Sequence, residues 1–239
     1  GDEVNFVVPT GNFGDILAGE FARRMGLPVA RLICASNANN VLTDFIRTGR
    51  YDRRRAFLKT ISPSMDILVS SNLERYLFLA SDGDFGLVDK LMGELRDQGH
   101  YDAPRHVVEA MQRRFLAYCA DDQAAMAAIG RVWNEEGYLL DPHTAVAWSA
   151  MEQFQAEGGN GCVTVVLSTA SPYKFSKDVL RALGGEAPQD GFDAMEKLNA
   201  LTQVPVPANL ASLKGKPARF EESISKDQMC AYVQKAVAK

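Results

Sequence analysis

Asn5-Phe6-Val7-Val8-Pro9-Thr10-Gly11-Asn12-Phe13-Gly14-Asp15 is the stretch that decides the fold. Its first four residues are a short β-rich run that stops at Pro9. A glycine-containing loop follows, and helical spacing begins at about Asp15. Leu17, Ala18, Phe21, Ala22 and Met25 form one apolar stripe at that spacing, and Gly26 and Pro28 read as its stop. Arg31-Leu32-Ile33-Cys34-Ala35 is then a second buried-strand candidate. Strand, helix and strand within about 35 residues make a βαβ unit, which predicts a largely parallel sheet.

Outward from this unit, residues 39–48 read as a short helix ended by Gly49 and the basic stretch Arg50-Tyr51-Asp52-Arg53-Arg54-Arg55. Helical spacing recurs over 66–79, 84–98, 104–119 and 121–136. Asp141-Pro142 is a cap and first-turn pair opening another helix, with Ala147, Ala150, Met151 and Phe154 on its inner face. After the break at 158–161, Cys162 to Leu167 is the clearest buried strand, and a further helix runs from beyond Pro172 to about Leu183. The tail is looser, with Pro188, Pro205, Pro207 and Pro217, and turns helical again from about Lys226. The expected architecture is α/β, a mostly parallel sheet flanked by helices. It spans residues 1–185 with a helical insertion at about 84–137, and residues 186–239 form an extension packed on the same domain.

Composition excludes several classes of function. With 46% hydrophobic and 23% charged residues, the 239-residue chain has ordinary globular usage and enough length for a sizeable core. A formal charge of −4 speaks against nucleic acid or an anionic membrane as partner, so a bound anion needs local donors. Cys34, Cys119, Cys162 and Cys230 are scattered and never paired as C-x-x-C, which suits neither a metal site nor a disulfide framework. A reducing cytoplasm is the expected compartment. No apolar stretch approaches membrane-spanning length, and no secretory signal is expected.

The loop at Gly11 carries the chemistry. Its glycines let backbone approach a ligand closely, and the first turn of the next helix has unpaired N–H groups at the positive end of the helix dipole. A phosphate there gathers several N–H bonds, at the strand end where open α/β sheets bind ligands. A plain βα turn accounts for the same glycines equally well, since neither G-x-G-x-x-G nor G-K-[ST] spacing is present.

The motif V-P-T-G-N-F-G-D, the following M-G-L-P and L-I-C-A-S-N-A-N-N resemble the threonine synthase family. The resemblance continues through D-F-I-R-T-G-R-Y at 44–51, S-P-S-M-D-I at 62–67, S-S-N-L-E-R at 70–75, D-P-H-T-A-V-A at 141–147 and L-S-T-A at 167–170. It implies the large cofactor domain of a fold-type II pyridoxal-phosphate enzyme, with the cofactor phosphate held by Gly11, Asn12, Phe13, Gly14 and Asp15. Thr169 matches the family threonine that hydrogen-bonds the pyridine nitrogen. Ser171 stands where many relatives have histidine. The family's Schiff-base lysine lies in an S-F-K-D motif well before the G-N-F-G loop, so it is expected upstream of Gly1 and no catalytic residue is expected in this chain. Phe175-Ser176-Lys177-Asp178 has a different order, and Lys177 reads as a solvated helix residue.

The implied reaction of the whole enzyme turns O-phosphohomoserine and water into threonine and phosphate, with phosphate leaving the γ carbon and water adding at the β carbon. A missing N-terminal domain of the same protein is the implied partner. Alternatives are a phospho-lyase relative that makes no threonine, and a non-catalytic module that binds a phosphate ligand. Asn37, Asn40 and Arg47 are candidates for a substrate phosphate or carboxylate, against an Asn-rich helix cap. The arginines at 50 and 53–55 read as a solvated loop, His143 as a structural first-turn histidine, and His100 and His106 as surface residues without a role.

Overall fold

In the computed structural model, which describes residues 1–217, 219 and 222–238, the chain begins with β1 (Val4–Pro9), α1 (Gly14–Arg24), β2 (Val29–Ser36), α2 (Val41–Thr48) and β3 (Arg50–Asp52). It continues through α3 (Leu73–Ala80), α4 (Phe85–Gln98), β4 (His100–Asp102), α5 (Arg105–Gln112) and β5 (Phe115–Cys119). Then come α6 (Asp122–Glu136), α7 (Pro142–Ala156), β6 (Val163–Val166), α8 (Ser176–Ala182) and α9 (Gly191–Thr202). The second unit holds α10 (Ala208–Ala211) and α11 (Met229–Val237).

The main sheet is four-stranded, in the order β5-β2-β1-β6, and every pairing is parallel. Parallel strands need helices over both faces, and residue alternation supplies two apolar faces. Val8, Leu32 and Cys34 face a core shared with α1 to α5, built on Phe13, Ile16, Leu17, Phe45 and Leu77. The intervening Val7, Ile33 and Ala35 are equally buried, and α7 packs across all four strands. Asp141 caps α7 by accepting from the N–H groups of His143 and Thr144, and the expected inner face of this helix is buried.

Several sequence expectations need correction. The buried side of α1 is Phe13, Ile16, Leu17 and Glu20, whereas Phe21 and Met25 are 43% and 83% exposed. Glu20 takes a core position because Arg23 and Arg24 reach over to bond its carboxylate, a pairing that an apolar-stripe count cannot register. Helical spacing over 104–119 resolves into α5 and then strand β5, since a short apolar run fits either state until a partner is known. The insertion is therefore not purely helical: it holds β5 and also β4, which pairs antiparallel with β3 from outside it. Only Leu73–Ala80 of the 66–79 segment is α-helix.

The clearest buried-strand candidate, β6, has β1 as its only sheet neighbour among the described residues, and its Val163 and Val165 are 67% and 37% exposed. Gly1–Pro205 forms one compact unit, within which α9 packs against α8. Val206–Lys239 forms the second unit. Among the described residues no helix is long and apolar enough to cross a membrane.

Candidate functional site

Parallel strands bring their C-terminal ends to one side, so the loops after β1, β2, β5 and β6 share one rim of the sheet. Gly11, Asn37, Ala120 and Thr169 all lie just past those ends. Backbone bonds from Thr10 to Ala35, Ala120 to Ser36 and Leu167 to Val7 stitch the rim together.

The loop after β1 is shaped by Phe13. This residue caps α1 at φ 60°, a left-handed conformation uncommon outside glycine. Its ring compensates by burying against Tyr76 and Phe115, with centroids 6.0 and 5.5 Å away. No side chain caps the helix, and the amides of Gly14, Asp15 and Ile16 have no acceptor among the described residues. Left-handed entry and an uncapped first turn leave a group of backbone donors open at the dipole's positive end.

A second segment holds this loop in place. Asn12 Oδ1 accepts from the Ser71 backbone and hydroxyl, and the Asn12 carbonyl accepts from the backbone and side chain of Asn72. The Gly11 carbonyl accepts from Ser70 Oγ at 3.0 Å. From the other side, a Cβ on Gly11 would lie 2.9 Å from the Ser64 carbonyl and 3.0 Å from Met65 Cα, so only glycine fits. Asn12 is thus a brace, and the open donors are backbone groups.

Thr169 is exposed beyond β6, and its hydroxyl has no partner among the described residues. The helix-cap role that a threonine could take here belongs to Ser171, whose Oγ accepts from the Tyr173 N–H.

Asn37 Nδ2 donates to Thr60 and to Asp66 Oδ1, both at 2.8 Å, while its Oδ1 accepts from the Asn39 N–H. Asn40 accepts from Arg55 and contacts Cys119 Sγ. Arg47 reaches the β5 edge, where Nε donates to the Ala117 carbonyl and the guanidinium lies 5.5 Å from the Tyr118 ring centroid. The structure brings Asn37 to the rim near Gly11, through the Ser62–Asp66 segment, and places Arg47 elsewhere. Three arginines of the basic stretch are paired locally, Arg50 with Asp102, Arg54 with Asp52 and Arg55 with Asp44, while Arg53 donates to the Arg96 carbonyl.

A family profile described as "Threonine synthase, C-terminal" matches residues 144–233. Threonine synthase-like 1 of Homo sapiens is 45% identical over 184 residues, covering 77% of this chain and 24% of that protein. Threonine synthase of Saccharomyces cerevisiae is 38% identical, over 77% of this chain and 38% of its own. The solved yeast threonine synthase superposes at TM-score 0.83 with 32% identity, over 99% of this chain and 48% of that one. PLP-bound threonine synthase from Brucella melitensis gives 0.73 and 37%, over 84% of this chain and 45% of that one. The chain belongs to the threonine synthase family. It spans less than half the length of these relatives.

In this threonine synthase-type chain Lys177 lies in the first turn of α8, and its Nζ donates to the Gln189 carbonyl. The sequence by itself assigns no role to the braces at Ser70, Ser71 and Asn72. Their types suit backbone bracing, but nothing in their spacing names Gly11 and Asn12 as the partners. His143 is 3% exposed and bridges Asp141 to the Ser64 backbone.

Proposed function

We propose that this chain is the cofactor-holding, C-terminal portion of a pyridoxal-phosphate-dependent lyase that converts O-phosphohomoserine and water to threonine and phosphate. The observation that carries the reading is the set of open amides at Gly14, Asp15 and Ile16, on the same sheet rim as the Thr169 hydroxyl, all without a partner among the described residues. Both fit the cofactor: amides suit a phosphate dianion, and a hydroxyl suits a ring nitrogen. The Brucella melitensis relative, described as PLP-bound, supports the same choice.

When bound, pyridoxal phosphate supplies the electron sink for reaction at the amino-acid substrate. The chain's own groups bind and orient. The amides of the first turn of α1 hold the phosphate, and Asp15 contributes its N–H rather than its carboxylate, since two anions repel. Asn12 keeps the loop open through Ser71. Thr169 offers a hydroxyl to the ring nitrogen, and a neutral partner there does not enforce a protonated ring. The lysine and the opposing wall of the crevice belong, in this reading, to the remaining length of a relative-sized protein. A reducing cytoplasm fits the unpaired Cys34, Cys119, Cys162 and Cys230.

A phospho-lyase that releases phosphate without making threonine is the second reading. It is kept because the 45% identity to a protein named threonine synthase-like 1 exceeds the 38% to yeast threonine synthase, and the first name specifies no product. The test is product analysis with O-phosphohomoserine on the full-length protein carrying this chain. Equimolar threonine and phosphate support the first reading, phosphate with a keto acid the second, and phosphate-ligand binding without turnover would overturn both.

A further inference from the structure

His143 has a single permitted protonation pattern. Its Nδ1 lies 3.0 Å from Asp141 Oδ1, and its Nε2 lies 3.2 Å from the Ser64 backbone nitrogen. The Ser64 N–H can only donate, so Nε2 must accept and the ring hydrogen sits on Nδ1, directed at the carboxylate. Asp141 is held in turn by the His143 N–H at 2.8 Å and by the Thr144 hydroxyl. The imidazole packs against Phe175 at 4.8 Å between centroids, and its burial keeps water from substituting for either partner.

The far end of this chain of bonds is the phosphate loop. The Ser64 carbonyl and Met65 Cα are the atoms that a Cβ on Gly11 would strike, so their position fixes how far Gly11 can retreat from a ligand. On the opposite side Ser70 holds the Gly11 carbonyl. We infer that His143 is a positioning residue for the anion cradle: as the neutral Nδ1–H tautomer it passes the rigidity of the Asp141 cap through Ser64 to Gly11. This inference rests on the reading of the Gly11 loop as a phosphate site. Lost acceptance at Nε2 would free the Ser64 N–H and let the Ser62–Asp66 segment move away from the loop.

Two variants separate this role from simple packing. In His143→Gln the side-chain amide can place an oxygen where Nε2 accepts. In His143→Asn the shorter side chain can bond Asp141 but cannot reach Ser64. Amide exchange at Ser64 in the 239-residue chain, followed by mass spectrometry, should speed up about fivefold or more in His143→Asn and stay near the parent rate in His143→Gln. Inorganic phosphate titrated against the Gly14–Ile16 amides by NMR should bind about fivefold more weakly to His143→Asn and within about twofold of parent for His143→Gln.

Long-range ¹H–¹⁵N correlation on the parent should show the Nδ1–H tautomer, a readout that needs no variant. An Nε2–H tautomer, an unchanged Ser64 exchange rate in His143→Asn, or equal losses in both variants would overturn the positioning role. If the parent binds no phosphate at all, the cradle reading fails and takes with it the purpose assigned to the clamp. The exchange and tautomer results would still decide whether the clamp exists.

Discussion

Asn12 Oδ1 accepts from both groups that Ser71 can offer, the backbone N–H at 2.6 Å and the hydroxyl at 2.8 Å. One side-chain oxygen thereby joins the turn after β1 to the segment leading into α3. Replacing Asn12 with alanine should cost about 1–2 kcal/mol of stability in urea unfolding, since two donors lose one shared acceptor. Asn12→Asp keeps the acceptor and most of the stability, yet its negative charge beside the open amides should weaken phosphate binding. Equal phosphate affinity for Asn12→Asp and the parent would remove the link between this loop and an anion.

Gly11→Ala meets backbone on one side, the Ser64 carbonyl at 2.9 Å and Met65 Cα at 3.0 Å. Neither can rotate away as a side chain would. The variant should lose about 1–3 kcal/mol, the range for overpacking a tight contact, as read from its denaturation midpoint.

Phe13 combines a left-handed backbone with a ring buried to 1% exposure. Phe13→Ala should cost about 3–5 kcal/mol from lost packing. Phe13→Gly loses the same ring but relieves the positive φ, so it should be more stable than Phe13→Ala by about 1 kcal/mol. An ordinary helical position would give the opposite order, and paired melting curves distinguish the two.

Glu20 sets an acid limit on the unit formed by Gly1–Pro205. Burial pushes its carboxyl pKa up, but the hydrogen bonds and charges of Arg23 and Arg24 outweigh burial and hold it below the ordinary value. A folded-state pKa below the unfolded one means stability that is present above the unfolded value and lost as pH falls through the folded value. Glu20→Gln should therefore be less stable at neutral pH by about 1–3 kcal/mol and should lose less on acidification. Parallel acid-unfolding slopes for parent and variant would rule this out.

Cys34 lies fully buried in β2, and burial pushes its thiol up to about 12. The thiolate is the reactive form, so Cys34 should resist iodoacetamide at pH 8 in the folded chain while the exposed Cys230 is alkylated. Peptide mapping after timed labelling reads both sites, and modification of Cys34 at the rate of Cys230 would show that the sheet opens.

The fold class was legible because a short apolar run, a glycine loop and a helical period leave few options other than βαβ. Asp141-Pro142 was equally readable, since a cap followed by proline is a local signal carried by adjacent residues. The faces were harder. The stripe through Phe21 and Met25 looked sound by spacing, yet the helix turns Glu20 inward because arginines one turn on neutralise it. Likewise β5 and α5 share one apolar stretch, and only the β2 edge separates them.

At the sheet rim, the open first turn of α1 was readable from Gly11 to Asp15, whereas Thr169 is a candidate only through the residues that resemble the family. The distribution of roles was not. Arg47 looks free in sequence and is engaged by Ala117 in space. Ser171 takes the cap that left Thr169 unbonded.

By itself, then, the sequence determined what the local chain can do: where strands stop, where a helix starts with bare amides, and which family such a loop belongs to. Those properties depend on neighbours within a turn or two. Tertiary structure alone decided that Ser71 braces Asn12, that Ser64 limits Gly11, and that Nε2 of His143 must accept rather than donate. These contacts join residues 53 to 79 positions apart, through Gly11–Ser64, Asn12–Ser71 and Ser64–His143. Hydrogen-bond direction and van der Waals contact act only at a few ångströms, so spacing along the chain carries no record of them until the sheet brings the loops to one rim.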